Sequence, residues 1–456
     1  MTDYIVAIDF GTSHITGIVG EKNTDGTFSI IACETENPAS CIHRGNIYNV
    51  ENTAGCVKNL IKKLEQNLKG SFIDKVYVGV GGQSLRIIEH VERKEIKAGQ
   101  VVSEDDIRSM QEKCEKYKPD KADVLYIVPP VYFVNERQEV KPVGVSCKEV
   151  GKPNLLEAKY KIVVGRPSIR MDIDKSIKDR CKKEVAGIIV SPLALADAML
   201  NEEEKTLGCA LVDFGAGVTS VAVYKGGNLL QLSVIPFGGN LITRDITSLQ
   251  VTEAVAENLK IVNGSALPNK EDDDKTVKVW MEGGDKEISI NDLNTIIEGR
   301  AKEITENVYA RISEAITLKS LGSGIVLAGC ASGLKGLEEM LKERCKINIR
   351  NSAIRDGLVR GYDNMIGNPL YMQAVSLMLK GTQSCVSQPF VKEVDINVNT
   401  DSETVEDTKT ESGGFFRRRK KENKPKESKP EPIVEKETDK KKTGLGDFFG
   451  DIFKEN

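Results

Sequence analysis

One pattern occurs twice in this chain, roughly two hundred residues apart. An apolar strand ends in Asp9-Phe10-Gly11, a turn rich in hydroxyl groups follows, and a second apolar run spans Ile15–Val19. The same order returns at Asp213-Phe214-Gly215, followed by a second apolar run over Val221–Tyr224. Two strand–turn–strand units of one design predict a duplicated domain.

The first 390 residues alternate strand-like and helix-like patterns, which predicts an α/β protein. The predicted strands are Tyr4–Ile8, Val76–Val80, Val124–Val128, Ile162–Val164, Leu211–Asp213, Val221–Tyr224, Ile325–Ala328 and Ile347–Ile349. The predicted helices are Val57–Leu68, Glu104–Tyr117, Asp174–Glu184, Leu241–Leu249, Thr252–Lys260, Leu293–Ile316 and Leu334–Cys345.

The repeated turns have the residue types of a phosphate site. Glycine lets a backbone approach a ligand closely, and its N–H groups can point at phosphate oxygens. Thr12, Ser13, Thr219 and Ser220 add neutral hydroxyl donors. An aspartate at the end of each strand can hold Mg²⁺ through water. Two facing hairpins would clamp one polyphosphate, and the alternative is two ordinary hairpins, each fixed by a buried aspartate.

A third glycine segment, Gly329 to Gly333, follows a predicted strand. Small residues at such a turn would let a flat ring lie against the backbone. The same residues also fit the start of the predicted helix Leu334–Cys345 with Ser332 as its cap, and the two interpretations are compatible.

Rival nucleotide and metal motifs are missing from the sequence. It contains no Gly-x-x-x-x-Gly-Lys-Ser/Thr, no His-Arg-Asp loop beside its Asp-Phe-Gly tripeptides, and no His-Glu-x-x-His. Gly79-Val80-Gly81-Gly82 is a loose match to a dinucleotide fingerprint, with no helix behind it. His14, in the first turn, could reach a phosphate or make an ordinary hydrogen bond.

The charge and cysteine content exclude further classes. The net charge of −4, from 64 basic and 68 acidic residues, disfavours a globally basic nucleic-acid binder. The ten cysteines form no Cys-x-x-Cys pair, which indicates thiols of a reducing compartment rather than a disulfide framework or zinc ribbon. We expect no export signal, because Tyr4–Ile8 is short and lacks a basic flank, and no bilayer-spanning segment.

The last 66 residues have a different composition. Val391 to Asn456 contains 16 acidic and 15 basic residues and no apolar periodicity, which predicts a disordered linker. Near its end, apolar residues recur at helical spacing and would form one face of a short helix: Leu445, Phe448, Phe449, Ile452 and Phe453. Such a helix is unstable alone in water and would fold in an interface with lipid or protein. Lys440–Lys442 would attract anionic headgroups.

The three turns, in this order, resemble those of the actin-like ATPase superfamily, and the chain resembles most closely its FtsA family of bacterial cell-division proteins. The resemblance covers roughly residues 4–380. The C-terminal tail is also of the type found in the family, a linker that ends in an amphipathic helix. The resemblance is carried by Ala7-Ile8-Asp9-Phe10-Gly11-Thr12-Ser13, Ser191-Pro192-Leu193-Ala194, Leu207-Gly208-Cys209-Ala210-Leu211-Val212-Asp213, Pro236-Phe237-Gly238-Gly239-Asn240-Leu241-Ile242-Thr243, Ala256-Glu257-Asn258-Leu259-Lys260 and Ile296-Ile297-Glu298-Gly299-Arg300.

The resemblance implies ATP and Mg²⁺ as cofactors, and a set of residues to hold them. The phosphate residues are Asp9, Gly11, Thr12, Ser13, Gly215, Ala216, Gly217, Val218 and Thr219; Asp9 and Asp213 hold Mg²⁺ through water; the adenosine residues are Gly239, Glu257, Lys260, Gly329 and Cys330. Without the family, Glu257 and Lys260 are typical of an exposed helix pair. Ser191 stands where much of the superfamily has a glutamate, so we expect at most a slow ATPase.

The implied fold is α/β, actin-like (ribonuclease H-like), with duplicated domains around a nucleotide cleft, a small α+β insert and a disordered C-terminal tail. The expected domains are 1–83 (first actin-like subdomain), 84–164 (interaction insert), 165–244 and 312–390 (two parts of the second actin-like domain), 245–311 (smaller subdomain with nucleotide and FtsZ contacts), 391–443 (linker) and 444–456 (membrane-targeting helix).

The implied function is a division adaptor. The protein would polymerise on the inner face of the cytoplasmic membrane at the division septum, anchor FtsZ filaments through the FtsZ C-terminal tail and help to assemble the septal ring. Its partners would be FtsZ, further copies of itself, anionic lipid and other divisome proteins, and no nucleic acid. The alternatives are an actin-like pilus-assembly or shape-determining protein, and a sugar kinase of the same superfamily.

Overall fold

In a computed structural model, the structure describes residues 3–38, 40–139, 141–147, 154–269, 274–281, 284–351, 353–361 and 367–387. The predicted linker 391–443 and membrane-targeting helix 444–456, with Leu445, Phe448, Phe449, Ile452 and Phe453, lie outside these residues and stay predictions. Among the described residues, no helix is both long enough and apolar enough to cross a membrane.

The strands, in chain order, are β1 (Asp3–Phe10), β2 (Ile15–Lys22), β3 (Phe28–Glu36), β4 (Ile42–His43), β5 (Asn46–Ile47), β6 (Phe72–Ile73), β7 (Lys75–Val80), β8 (Arg86–Ile96), β9 (Asp123–Val134), β10 (Arg137–Glu139), β11 (Asn154–Gly165), β12 (Glu184–Val190), β13 (Cys209–Phe214), β14 (Thr219–Lys225), β15 (Asn228–Ile235), β16 (Thr276–Met281), β17 (Gly284–Ser289), β18 (Ile325–Ala328), β19 (Ile349–Asn351), β20 (Val359–Arg360) and β21 (Val386–Ser387).

The α-helices are α1 (Val50–Glu65), α2 (Glu104–Glu115), α3 (Ser168–Asp174), α4 (Ser191–Met199), α5 (Glu202–Leu207), α6 (Gly239–Ile246), α7 (Glu253–Val262), α8 (Ile290–Ala315), α9 (Leu337–Cys345) and α10 (Pro369–Met378). A π-helical turn, Lys175–Arg180, continues α3, and a 3₁₀ turn spans Cys330–Gly333.

Two sheets repeat one strand order. The first sheet runs β12-β7-β1-β2-β3-β20, and the second contains β19-β18-β13-β14-β15. In each, three consecutive strands are antiparallel, and two later strands add in parallel beside the first of them. This shared order confirms the duplication that the repeated Asp-Phe-Gly pattern predicts.

The central strands are buried on both faces, which explains their continuous apolar runs. Ile5 to Ile8 in β1 and Ala210 to Val212 in β13 are at most 1% exposed. Helix α1 packs its apolar stripe against the first sheet, and its start is fixed by Asn49, whose side chain accepts a hydrogen bond from the N–H of Asn52 at 3.0 Å. Helices α6 to α9 contribute to a separate core against the second sheet.

The segment between β7 and β12 forms an insert with its own core. Strand β11 pairs along its length with β8 and β9, and α2 packs on β8. The insert extends the second sheet through one residue pair, Arg86 with Ser233, and the Lys161 ammonium donates to the Leu230 carbonyl at 2.5 Å. The strands and helix expected in this segment are present, and the exact boundaries 84–164 stay a prediction.

Several predicted elements differ in their limits. Helix α1 runs from Val50 to Glu65 rather than from Val57 to Leu68, and strand β11 begins at Asn154 rather than at Ile162. Helical structure from Ser168 stops at Arg180, because Glu184 already begins β12, so the predicted end at Glu184 was wrong. Strand β19 begins at Ile349 rather than at Ile347. Helix α9 begins at Leu337 after Gly336, so Ser332 does not cap it; the Ser332 hydroxyl instead donates to the Gly329 carbonyl at 2.7 Å.

Candidate functional site: a cleft between two matched hairpins

The two repeated turns connect strands in the same register. Asp9 in β1 pairs across the antiparallel ladder with Thr16, and Asp213 in β13 pairs with Ser220. On their other side, Asp9 lies beside a residue of β7 and Asp213 beside a residue of β18, both in parallel. Each aspartate therefore ends a central strand at the edge of the sheet where the turns lie.

Each turn needs a glycine directly after the Asp-Phe pair. A Cβ at Gly11 would lie 2.5 Å from the His14 carbonyl oxygen, and one at Gly215 would lie 2.9 Å from the Val218 carbonyl oxygen. Both distances are shorter than a side chain tolerates. The tight turn thus explains why Gly11 and Gly215 occupy equivalent places in the two copies.

The hairpins meet each other at Gly217. A Cβ at this position would lie 2.9 Å from the Thr12 Cβ and closer still to the Thr12 hydroxyl. That hydroxyl accepts a hydrogen bond from the Gly45 N–H at 3.1 Å. The absence of a side chain at Gly217 lets the second turn lie directly against the first.

Between the hairpins lies a cleft with a volume of about 130 Å³. The predicted residues that line it are Asp9, Gly11, Thr12, Ser13, Asp213, Gly215, Ala216, Gly217, Val218, Gly329 and Cys330. His14, Ser191 and Ser220 line it as well. The sequence repeat and the third glycine segment therefore converge on one place, although they are separated by hundreds of residues.

The two aspartates of the cleft resist ionisation. Burial and the neighbouring Asp213 carboxylate raise the pKa of Asp9 to about 7, partly opposed by the Ser191 hydroxyl, which lies 3.4 Å from the Asp9 Oδ1. Burial raises the pKa of Asp213 to about 6. Within the described residues, neither carboxylate has a lysine, arginine or histidine partner within 4.0 Å.

This donor set fits a magnesium ion held through water. The described residues contain no group of three or more histidines, cysteines, aspartates or glutamates that could cage a metal directly. Magnesium usually keeps several waters and binds through one or two carboxylates plus phosphate oxygens. Two carboxylates with raised pKa values beside glycine turns match that requirement, since a cation would favour their ionised forms.

His14 lies across the cleft from α7. Its Nδ1 is 3.1 Å from the Ser13 hydroxyl. Burial lowers the pKa of His14, and the Glu257 carboxylate opposes this shift. The imidazole is therefore neutral near pH 7 and can exchange one hydrogen bond with a ligand, rather than bind it as a cation.

The predicted adenosine residues on α6 and α7 form a network beside the cleft. The Lys260 ammonium donates to the Glu257 carboxylate at 2.6 Å, to the Thr243 hydroxyl at 2.8 Å and to the Gly239 carbonyl at 3.3 Å. Lys260 is 8% exposed, so its charge is committed to these partners. The Gly239 N–H donates to the Gly215 carbonyl at 3.0 Å, which joins the network to the second turn.

Gly329 adopts a backbone conformation that favours glycine. Its φ is +83°, and a Cβ there would lie 2.5 Å from the Phe214 carbonyl oxygen and against the Asp213 carboxylate. The next residue, Cys330, borders the cleft, and burial together with the carboxylates of Asp213 and Asp9 raises the pKa of its thiol to about 11. The thiol is therefore protonated at neutral pH.

One predicted phosphate residue points elsewhere. Thr219 is fully buried, and its hydroxyl donates to the Phe237 carbonyl at 2.8 Å, so it does not line the cleft. Sequence reasoning missed Gly45, Gly81 and Gln373, which do line it. The Gln373 side-chain amide donates to the Ser191 carbonyl at 2.9 Å. No local pattern marks Gly45 or Gln373, because packing of distant segments brings them to the cleft, and Gly81 belongs to the glycine run that matched a dinucleotide fingerprint only loosely.

Comparisons with known proteins agree with this architecture. A family profile described as "Cell division protein FtsA" matches residues 210–376. The cell division protein FtsA of Porphyromonas gingivalis is 31% identical over 474 aligned residues, covering 100% of this chain and 95% of that protein. FtsA of Pseudomonas aeruginosa is 30% identical, covering 83% of this chain and 89% of that protein.

Among solved structures, a "PilM-PilN type IV pilus biogenesis complex" matches with a TM-score of 0.54 at 15% identity, covering 83% of this chain and 97% of that one. The fold and its repeated sheets define an actin-like α/β protein, as the sequence predicts. At 31% identity over its full length to an established member, the chain belongs to the FtsA family of cell division proteins.

Proposed function

We propose that the chain binds ATP with Mg²⁺ in the cleft, polymerises on the inner face of the cytoplasmic membrane and anchors FtsZ filaments there. In this role it helps to assemble the septal ring together with other divisome proteins. Nucleotide acts mainly as a structural ligand, and turnover is at most slow, since Ser191 offers a hydroxyl rather than a carboxylate for orienting water.

One observation carries the nucleotide part of the proposal: two half-buried carboxylates face one cleft between matched glycine turns. Without a cation, each carboxylate has a raised pKa, about 7 for Asp9 and about 6 for Asp213. Thr12 and Ser13 would offer hydroxyl donors to phosphate oxygens, and Ala216 to Val218 would offer backbone N–H groups, whereas the Gly215 N–H closes the turn onto the Val218 carbonyl at 3.0 Å. Mg²⁺ would supply charge neutralisation between the carboxylates and the phosphates.

The test is a calorimetric ATP titration with and without Mg²⁺. Asp213→Asn keeps the shape of the side chain but removes its charge, so we expect Mg²⁺ to lose its effect on affinity. Asp285→Asn, on the exposed strand β17, is the matched control and should bind like the native chain. Equal Mg²⁺-dependent affinity of Asp213→Asn and the native chain would refute the two-hairpin clamp.

The adenosine part is tested by the network on α7. Glu257 is held by Lys260 and Thr243, so Lys260→Met would remove the cationic partner of the Glu257 carboxylate and the Lys260 donor of the Gly239 carbonyl. We expect weaker binding of ATP and of adenosine alike. A loss for ATP but not for adenosine would place this network at the phosphates instead.

The FtsZ contact is proposed for residues 245–311, by the family resemblance. Among its described residues this region exposes three large apolar side chains: Ile261 (46%), Val262 (59%) and Trp280 (75%). An exposed apolar set of this kind can receive a peptide. Trp280→Ser should weaken FtsZ pull-down, whereas Tyr48→Ser, a similarly exposed aromatic in the first domain, should not. If Trp280→Ser bound FtsZ as well as the native chain does, Trp280 would not be part of the contact.

The membrane part is tested by sedimentation with lipid vesicles, with and without ATP and FtsZ. Deleting Leu445–Asn456, or changing Phe449→Asp, should release the chain from vesicles. ATP-dependent polymers should bind more strongly than single chains, because one short apolar anchor is weak and many act together. Unchanged vesicle binding by both variants would refute anchoring through the tail.

A further inference from the structure

A strip of cations follows the junction between α1 and the turn Lys175–Arg180. Lys58 and Lys62 lie on the flank of α1 that also carries Glu51, and Glu51 pairs with Arg180 at 2.5 Å. Lys58 and Lys183 both lie near the Cys181 thiol, where they oppose the rise that burial causes in its pKa. We call this strip the basic seam; its cations are Lys58, Lys62, Lys69, Lys75, Lys175, Lys178, Arg180, Lys182 and Lys183.

Several cations of the basic seam have no carboxylate partner. Four are paired, the closest being Arg180 with Glu51 and Lys178 with Asp174 at 2.9 Å. Within the described part of the chain, the other five have no carboxylate within 4.0 Å: Lys58, Lys62, Lys69, Lys175 and Lys182.

The strip remains positive after its acids are counted. Six carboxylates lie along it: Glu51, Glu65, Asp74, Asp174, Asp179 and Glu184. Nine cations against six carboxylates leave +3 on this strip, whereas the first 390 residues together carry −3. The basic seam is therefore a local positive field on a slightly negative body, and a polyanion or an anionic surface would be attracted to it.

An exposed aromatic residue and the last described strand, β21, also lie at the basic seam. Phe72, in β6 between Lys69 and Lys75, is 56% exposed. Its strand pairs with β21, where Ser387 lies opposite Phe72, and the N–H of Asp74 donates to the Cys385 carbonyl at 2.9 Å. The 69 residues after Ser387 carry the proposed membrane segment. Ser387, the last described residue, thus lies opposite Phe72, which follows the unpaired Lys69 by three residues.

We propose that the basic seam and Phe72 form a second membrane contact, which binds an anionic lipid surface directly. The inference rests on the proposed membrane role of the tail. Once the tail is in the bilayer, the linker keeps the body within reach of the lipid, and each unpaired lysine that meets the surface then adds attraction to anionic headgroups. Phe72 adds an exposed apolar side chain that can enter the headgroup region, as phenylalanines of interfacial helices do. Single-stranded nucleic acid would be drawn to the same cations and could stack on Phe72, but the end of the described chain beside Phe72, from which the proposed lipid anchor follows, favours lipid.

The first experiment places a fluorescent reporter at the contact. Phe72→Trp in a Trp280→Phe background leaves position 72 with the one tryptophan of the full-length chain. On vesicles of phosphatidylglycerol and phosphatidylcholine that contain bromolipid, we expect quenching of this tryptophan. Sedimentation with the vesicles but no quenching would overturn the inference and leave the tail anchor intact. Failure to sediment at all would overturn the anchor itself, and the second contact with it.

The second experiment removes charge. In the full-length chain, the triple change Lys58→Gln, Lys62→Gln and Lys69→Gln should weaken binding to phosphatidylglycerol vesicles on the order of a hundredfold at low salt. The matched control changes the exposed Lys302, Lys319 and Lys342 to glutamine and should bind like the native chain. Equal losses in both triples would overturn the inference, since they would report net charge alone. So would tighter binding of the native seam to single-stranded RNA than to these vesicles.

Discussion

The two hairpins of the cleft share one backbone and differ in what their turns present. In each, an aspartate pairs with a hydroxyl residue across the strands, and a glycine follows two residues later. The first turn, Thr12 to His14, carries three polar side chains, whereas the second, Ala216 to Val218, carries none. The shared residues bring two strand ends together. The residues that differ give the first turn side-chain hydrogen-bond donors and allow the backbone of the second turn to approach a ligand closely.

The carboxylates of the two hairpins differ as well. Asp9 is affected by both burial and its counterpart, while burial alone accounts for the raised pKa of Asp213. Ser191 supports Asp9 and belongs to α4, outside the hairpin. The repulsion between the two carboxylates acts on both of them, so the cost of holding two acids in one cleft falls on the pair.

The largest effect is expected where the hairpins touch. Gly217→Ala would place a Cβ against Thr12, force the turns apart and weaken ATP binding tenfold to about a hundredfold, as overpacking of about 1–3 kcal/mol implies. Isothermal titration measures it. Gly299→Ala is the control, because a Cβ at that position meets nothing within 4 Å. Native affinity in Gly217→Ala would show that the close approach of the turns does not matter for binding.

The next effect concerns pH and the stability of the nucleotide-free chain. The pKa of Asp9 is about 7 in the folded chain against an ordinary value of 3.8, so the folded state holds its proton more tightly than the unfolded state. The free energy of unfolding should therefore fall as pH rises from about 4 to about 7 and level off above that. Asp9→Asn should reduce this slope and stabilise the chain at pH 8 by on the order of 2 kcal/mol.

The corresponding change Asp213→Asn tests the second hairpin. The part of the pH dependence of stability that this change removes should end at a lower pH, near the Asp213 pKa of about 6. Denaturant titration across the pH range measures both variants. If Asp9→Asn kept the native pH dependence, the pKa of Asp9 would not be raised in the free chain.

A smaller effect is expected from the first turn alone. Thr12→Val keeps the side-chain shape but removes the hydroxyl that accepts from the Gly45 N–H. Loss of one hydrogen bond at a partly buried group should lower stability by about 1 kcal/mol and ATP affinity several-fold. The reverse exchange in the second turn, Val218→Thr, should change neither by a comparable amount. Equal effects in both turns would contradict the division of work between them.

The smallest effect is expected at Ser191. Its hydroxyl partly offsets the raised pKa of Asp9 and is the smallest of the causes that act on it, so Ser191→Ala should raise that pKa further. The pH at which stability levels off should move upward by the same amount, and Ser176→Ala, a buried serine on the π-helical turn, serves as the control. A downward move would mean that Ser191 does not favour the ionised form of Asp9.

Much of this cleft is predictable because its parts are local. Asp9-Phe10-Gly11 and its repeat each follow a continuous apolar run, and a strand followed by a glycine turn needs no distant partner to form. Gly45 and Gln373 had no such signal, because only tertiary packing sets them beside Thr12 and Ser191. The interpretation of Glu257 and Lys260 as an exposed helix pair was wrong for Lys260, for a similar reason. A lysine three residues after a glutamate is typical of an exposed helix surface, and here helix packing buries the lysine.

The start of α9 shows how a local rule can mislead. Ser332 has the residue type of a helix cap, yet its hydroxyl closes a 3₁₀ turn onto Gly329, and the chain extends at Leu334 before the helix begins. A backbone constraint beside the cleft, the positive φ of Gly329, outweighed the capping preference.

The single residue pair between β8 and β15 has a mechanical consequence. Inside the insert, long ladders make β8, β9 and β11 stiff. One backbone pair, the Lys161 bond and the packing of Leu125 and Val163 into the core of the first sheet join the insert to the body. A force on the insert therefore acts on this junction before it breaks the insert's own pairings.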